Sequence, residues 1–176
     1  MQATSLRWRG LIHSAERIRA RISGPEDRAL IDALFYEDRA AQFAGTGLAE
    51  AQIRPLIEMQ ARGRGTTYTE QYPAAEDWIL LDSDGTPAGR LLLDRQPDRW
   101  RIVDIAVLTA RRGQGLGAGA LMECQRQAAA AGARLDLQVR PENPARRLYE
   151  RLGFKVVRED AIAAELVWNP TAAVSA

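Results

Sequence analysis

Arg112-Gly113-Gln114-Gly115-Leu116-Gly117 stands between two stretches of different periodicity. Before it, Ile102-Val103-Asp104-Ile105-Ala106-Val107-Leu108 is rich in β-branched residues and bounded by charge, which reads as a strand. After it, Leu116, Ala120, Leu121, Cys124, Ala128 and Ala131 recur at helical spacing and draw one apolar face. The glycines therefore sit where a strand turns into a helix. The first turn of a helix has N–H groups without intrahelical partners, and its dipole adds partial positive charge there. Glycines remove the Cβ atoms that would hold a phosphate away from those groups, and Arg111 and Arg112 add charge. The stretch has the chemistry of a pyrophosphate cradle.

The glycines admit more than one pattern. Gly113, Gly115 and Ala118 fit the dinucleotide fingerprint G-x-G-x-x-A, which wants its first glycine at the strand end, early in a βαβ unit. Here Thr109-Ala110-Arg111-Arg112 intervene, and the motif lies far down the chain. Arg112, Gly115 and Gly117 instead fit R-x-x-G-x-G. A solvated glycine-rich turn is the third reading. The loop alone does not separate them.

At 176 residues the chain has the size of one domain with a proper core. A formal net charge of +1 gives no electrostatic case for a nucleic-acid or membrane partner. Lys155 is the only lysine, and the arginines are spread along the chain beside abundant alanine. The single cysteine, Cys124, excludes an internal disulfide, fits a reducing compartment, and reads as core rather than nucleophile from its place on the apolar helix face. His13, the one histidine, has no ligating neighbours, so no metal cluster is expected. There is neither a signal-peptide pattern nor an apolar run long enough for a bilayer, so the expected location is cytoplasmic.

Taken in order, residues 1–15 read as a loosely packed leader, and Ile18 and Ile22 mark a first strand. Ser23-Gly24-Pro25-Glu26-Asp27 starts a helix with the apolar stripe Ala29, Leu30, Ala33 and Leu34. A second helical region from Leu48 to about Tyr72 should break or restart near Pro55 and weaken at Gly63 and Gly65. Trp78 to Leu81, Gly89 to Leu93 and Trp100 to Leu108 form a meander whose first turn is Asp82-Ser83-Asp84-Gly85-Thr86-Pro87. The helix after the cradle ends at Gly132, and Leu135 to Val139 is a strand. Asn143-Pro144 opens a last helix, with Asn143 as its cap, and Gly153 stops it. Phe154 to Val157 and Ala161 to Trp168 are closing strands, and 169–176 is a frayed tail.

This order, β-α-α-β-β-β-α-β-α-β-β, is similar to that of the GNAT superfamily of N-acetyltransferases, whose coenzyme A loop is R-x-x-G-x-G. The resemblance covers roughly Glu16 to Trp168, expected as the acetyltransferase domain. It rests on Ile102 to Gly117, on Asn143-Pro144-Ala145-Arg146-Arg147-Leu148-Tyr149 and on Leu152-Gly153-Phe154, in register. A dinucleotide-binding domain predicts neither the second nor the third. The implied fold is α/β (α+β): a mixed, mostly antiparallel sheet of about six to seven strands, flanked by helices and splayed where acetyl-CoA binds.

The resemblance implies acetyl transfer from acetyl-CoA to a small-molecule or peptide amine by direct attack, and it leaves room for a homodimer. The backbone of Ile105, Ala106 and Val107 would bond the pantetheine arm and polarise the thioester carbonyl, although these are also ordinary core-strand residues. Arg112, Gly113, Gln114, Gly115, Leu116 and Gly117 would hold the pyrophosphate. Asn143 either caps its helix or also contacts the coenzyme. Tyr149 would protonate the departing thiolate, or else be a half-buried aromatic. Asp104 is the only acid on the strand before the loop, but alternation places it with Ile102 and Ala106, away from Val103 and Ile105. It is either the general base or a structural anchor, and a water relay to Glu58, Glu70 or another acid of the acceptor wall is equally open. Thr109 stands where a proline often follows that strand. The acceptor would lie between Phe35 to Tyr72 and Arg158 to Ile162, with Phe35, Tyr36, Tyr68, Tyr72, Glu37, Asp38, Glu70, Glu159 and Asp160 as candidate contacts. Acids and aromatics suit a cationic amine. The rival reading is a GNAT-like module that binds acyl-CoA or a protein without turnover.

Overall fold

In the middle of the chain the meander forms, because apolar runs there alternate with turn chemistry. The computed structural model describes residues 18–43 and 46–170, without the side chains of 61–69; the expected leader and the tail from residue 171 lie outside it. Strands β2 (Glu76–Leu81), β3 (Pro87–Arg95) and β4 (Arg99–Val107) pair antiparallel, and β1 (Arg19–Ile22) adds an edge to β2. The β2–β3 turn is tied by Asp82, whose Oδ1 accepts the N–H groups of Asp84 (3.0 Å) and Thr86 (2.9 Å). Helix α1 is Arg28–Gln42, α2 is Glu50–Gln71, α3 is Leu116–Ala131 and α4 is Arg146–Arg151. With β5 (Arg134–Val139), β6 (Lys155–Glu159) and β7 (Ala164–Trp168), the sheet among the described residues has seven strands in the order β1-β2-β3-β4-β5-β7-β6. Its one parallel pair is β4 with β5, as α3 makes a crossover between them.

One face of the sheet carries Trp78, Leu80, Leu91, Leu93, Trp100 and Ile102, packed with Ala120, Leu121, Cys124 and Ala128 of α3. The helical spacing of those α3 residues places them all on the buried side, and Cys124 is 1 % exposed, with burial pushing its thiol pKa up to about 12. It is a core residue. The opposite face buries Ile79 and Leu92 of the sheet, and the α1 and α2 residues Leu34 and Ile57 are buried as well. Helix α1 packs against β3 and α2.

Two departures from the sequence reading concern helices. Helix α2 runs through Pro55 without interruption. Pro55 lies only in the second turn on an exposed face, so the bond it removes leaves the Ala51 carbonyl to water. Helix α4 begins at Arg146 rather than at Pro144, because Asn143 and its neighbours form a turn first; the Asn143 side chain accepts the N–H of Ala145 at 2.9 Å.

The third departure is in β4 and bears on the site. Leu92 pairs with Asp104 but Leu93 pairs with Ile102, so Val103 is an extra residue in a β-bulge. The bulge resets the alternation. Ile102 and Ile105 both belong to the α3 side, and Asp104 falls on the α1 side with Leu92. Sequence alternation had put Asp104 and Ile102 together; the structure puts them on opposite faces.

Candidate active site

Strands β4 and β5 pair only from Arg99/Arg134 to Ile102/Leu137, after which β4 continues to Val107 and β5 to Val139 without bonding each other. The paired end is clamped by charge. Asp136, 2 % exposed, accepts from Arg99 and from Arg101 (2.9 Å), and Arg101 also reaches Gln138 (3.1 Å). Beyond the clamp the strands diverge and leave backbone N–H and C=O groups of Val103 to Val107 without a β5 partner.

Two cavities open on this gap. One, of about 1020 Å³, runs from Ile105, Ala106 and Val107 past Arg111, Arg112, Gly113, Gly115, Leu116 and Gly117 to Asn143 and Leu148. The other, of about 630 Å³, lies on the α1 side and is lined by residues including Asp32, Phe35, Asp38, Tyr72, Asp77 and Asp104. Leu34, Asp38, Ile105, Ala106, Arg140, Asn143 and Tyr149 line both. The cavities therefore meet at the splay.

At the mouth of the larger cavity, α3 begins with Gly115 as its N-cap, at φ 81° and with no side-chain cap bond. Gly113 has φ 75°, and a Cβ at either glycine would meet open space. An uncapped helix N-terminus behind positive-φ glycines offers N–H groups and dipole charge to an anion, which fits a pyrophosphate. Arg112 is exposed and donates Nε–H to the Val107 carbonyl at 3.1 Å. Arg111 stands 3.4 Å from Asp82. Gln114 is exposed at the tip of the loop and is the one residue of the quoted stretch that does not line the cavity.

Tyr149 projects from α4 into the junction. It is 6 % exposed, edge-on to Phe154 with centroids 6.0 Å apart, and its pKa is pushed up to about 12 by burial and then by the charge of Asp104. The phenol is thus held protonated. Asp104 is 22 % exposed and 3.9 Å from Arg90, which makes a two-pronged bond to Asp77 at 2.7 and 2.8 Å.

The other candidate acids divide. Asp38 lines both cavities, while Phe35 and Tyr72 line the smaller one. Glu37 instead accepts the N–H (2.7 Å) and hydroxyl (2.9 Å) of Thr109, tying α1 to the turn that precedes the glycine loop. A proline at 109 could not donate that bond. Glu159 is bound by Arg146 at 2.7 and 3.0 Å, and Asp160 shapes the β6–β7 turn by accepting from Ile162 and Ala163. Tyr36 bonds Glu50 at 3.3 Å and lies under Arg54, while Glu58 and Glu70 are exposed and line neither cavity. The side chain of Tyr68 lies outside the described residues. Sequence reasoning missed Asp32, Asp77, Arg90 and Arg140 as cavity residues, since only the folded pairing of distant segments brings them together. Among the described residues no group of three or more His, Cys, Asp or Glu could hold a metal, and no helix is long and apolar enough to cross a membrane.

A glycine-capped helix opening onto a splayed parallel pair, with a second cavity joining it at the gap, offers an anion site and an open strand edge in one continuous cleft. A model of the acetyltransferase (GNAT) family matches residues 33–154, and the chain belongs to that family. It is an acyltransferase. The fold is similar to that of the PaiA N-acetyltransferase of Thermoplasma acidophilum, solved in complex with coenzyme A: TM-score 0.67, 17% identity, covering 86% of this chain and 98% of that one. It is also similar to a GCN5-related N-acetyltransferase of Rhodopseudomonas palustris (TM-score 0.62, 18% identity, 89% and 99% covered). An acetyltransferase of Thermus thermophilus matches at TM-score 0.60 and 21% identity, covering 87% and 97%. A search of curated proteins by sequence gave no match.

Proposed function

We propose that the protein moves an acetyl group from acetyl-CoA to a primary amine by direct attack, with both substrates bound at once. The observation that carries this reading is the meeting of the two cavities at Ile105 and Ala106, beside Tyr149 and Asp104. A donor in the larger cavity and an amine in the smaller one would face each other there without a covalent enzyme intermediate. The one cysteine is buried in the core, which is consistent with transfer in a single step.

Acetyl-CoA supplies an activated acyl carbon with a thiolate leaving group. The first turn of α3, with Arg111 and Arg112, would hold its pyrophosphate, and the free edge of β4 would bond its extended arm as an added strand. A β4 backbone N–H aimed at the thioester oxygen would stabilise the charge that develops on attack, an effect of about 3 kcal/mol for a single donor. Tyr149 would give its proton to the departing sulfur, since a phenol kept neutral is a competent acid toward a thiolate. Asp104, 3.9 Å from Arg90, would take the proton lost by the amine, directly or through water. Asn143, its Oδ1 engaged by Ala145, would keep its NH₂ for the coenzyme.

Thermal unfolding tests the donor. Acetyl-CoA at a hundredfold excess over Kd should stabilise the fold by about 2.7 kcal/mol. For a chain of this size that is a rise in Tm of roughly 5–10 °C. NAD should give none. Protection by NAD alone would restore the dinucleotide reading of Gly113, Gly115 and Ala118.

A further inference from the structure

From the charges on the acceptor wall we infer that the amine substrate is a small zwitterion of amino-acid type, its carboxylate read by Arg140. The smaller cavity is lined by four aspartates (Asp32, Asp38, Asp77, Asp104) and four arginines (Arg28, Arg39, Arg90, Arg140), so its charge is balanced. A polycation would find as many guanidiniums as carboxylates there.

Three of those arginines are engaged. Arg28 donates Nε–H to both oxygens of Asp32 at 3.0 Å. Arg90 holds Asp77 and stands near Asp104. Arg39 bonds Gln42 at 3.1 Å, lies 5.4 Å over the Phe35 ring and stands 4.0 Å from Asp38, although its buried Nε makes no hydrogen bond among the described residues. Arg140 differs: among the described residues its guanidinium makes no ion pair or hydrogen bond, although it is half-buried directly after the last residue of β5. A planar, permanently charged fork kept partly out of water is suited to a carboxylate in the two-pronged manner.

Position then fixes the chemistry. Arg140 lines both cavities, so it stands at the splay, where the attacking nitrogen must also come. An anion bound there lies only a few bonds from the amine. Asp104, beside Ile105 on the wall of the smaller cavity, and Asp38, which lines both cavities, suit the ammonium end before it loses its proton. A cavity of about 630 Å³ is within the usual range for a whole small ligand. A free amino acid, or an analogue with another planar anion near the amine, meets all of these conditions.

This inference rests on the acetyl-transfer reading, and its test separates the two. Thiol release from acetyl-CoA should be measured with a panel of amino acids, their methyl esters and amides, and polyamines. Amino acids should be acetylated, and their esters should be poorer by on the order of 10- to 100-fold in kcat/KM. Arg140→Gln should erase that preference by raising KM for the amino acid by a similar factor, and Arg140→Lys should recover part of it. The Kd for acetyl-CoA, measured by calorimetry, should change little. Equal use of esters and acids, preferred use of polyamines, or an Arg140→Gln effect confined to acetyl-CoA affinity would overturn the inference while leaving acetyl transfer intact. Tight acetyl-CoA binding with no turnover on any amine would remove both.

Discussion

Gly117→Val should cost acetyl-CoA affinity on the order of 100-fold, the loss expected when charge-assisted bonds to phosphate are broken, while the protein stays folded. Gly117 is the second residue of α3, and unlike Gly113 and Gly115 it has no positive φ that would forbid a side chain. A Cβ built on it would lie 3.9 Å from Leu148 Cδ2 and from Val107 Cγ2, which is ordinary contact. The protein therefore has room for the first carbon, and the branches that follow stand in the cavity where phosphate oxygens must approach the helix N-terminus. Gly115→Val should also abolish binding, but at φ 81° it strains the loop itself and so says less about the ligand. Calorimetric titration with acetyl-CoA, beside a circular-dichroism melt, reads both effects. Normal affinity in a folded Gly117→Val protein would place the pyrophosphate elsewhere.

Tyr149→Phe should lower kcat by on the order of 100-fold, the usual loss when a general acid is removed. Acetyl-CoA affinity should hold, because the hydroxyl meets the sulfur mainly as charge develops on it. The ring's edge contact with Phe154 survives the substitution, so the fold is not the cause. The pH profile adds a second reading. A phenol pushed up to about 12 by burial and by Asp104 stays protonated through the neutral and mildly alkaline range. Its ionisation should therefore impose no fall in kcat below about pH 10, whereas an ordinary phenol would begin to titrate there. An unchanged rate in Tyr149→Phe would remove the residue from the chemistry.

The turn from strand to helix at Arg112 to Gly117 was legible because two periodicities change across it, and glycine chemistry explains why they change there. The element order was legible for the same reason, down to Gly132 and Gly153 as helix stops, both at positive φ. Pairing was not. The bulge at Val103 depends on which residue of β3 lies opposite, and that single extra residue decides which way Asp104 faces. Nor could the sequence show that Glu37 meets Thr109 across 72 positions, which turned an apparent acceptor acid into a strut of the turn before the glycine loop. Arg140 was hidden by abundance: in a chain with 24 basic residues one more arginine says nothing until the fold shows its neighbours engaged and itself without a partner among the described residues.

Product analysis tests acetyl transfer most directly. The wild-type protein should be incubated with acetyl-CoA and the amine panel, and each mixture analysed by mass spectrometry with thiol release followed in parallel. The expected result is a new N-acetylated amine formed in step with free coenzyme A, with amino acids as the best acceptors. Saturable acetyl-CoA binding with neither acetylated amine nor thiol release above the enzyme-free control would contradict it, and would identify the chain as an acyl-CoA-binding module built on the same fold.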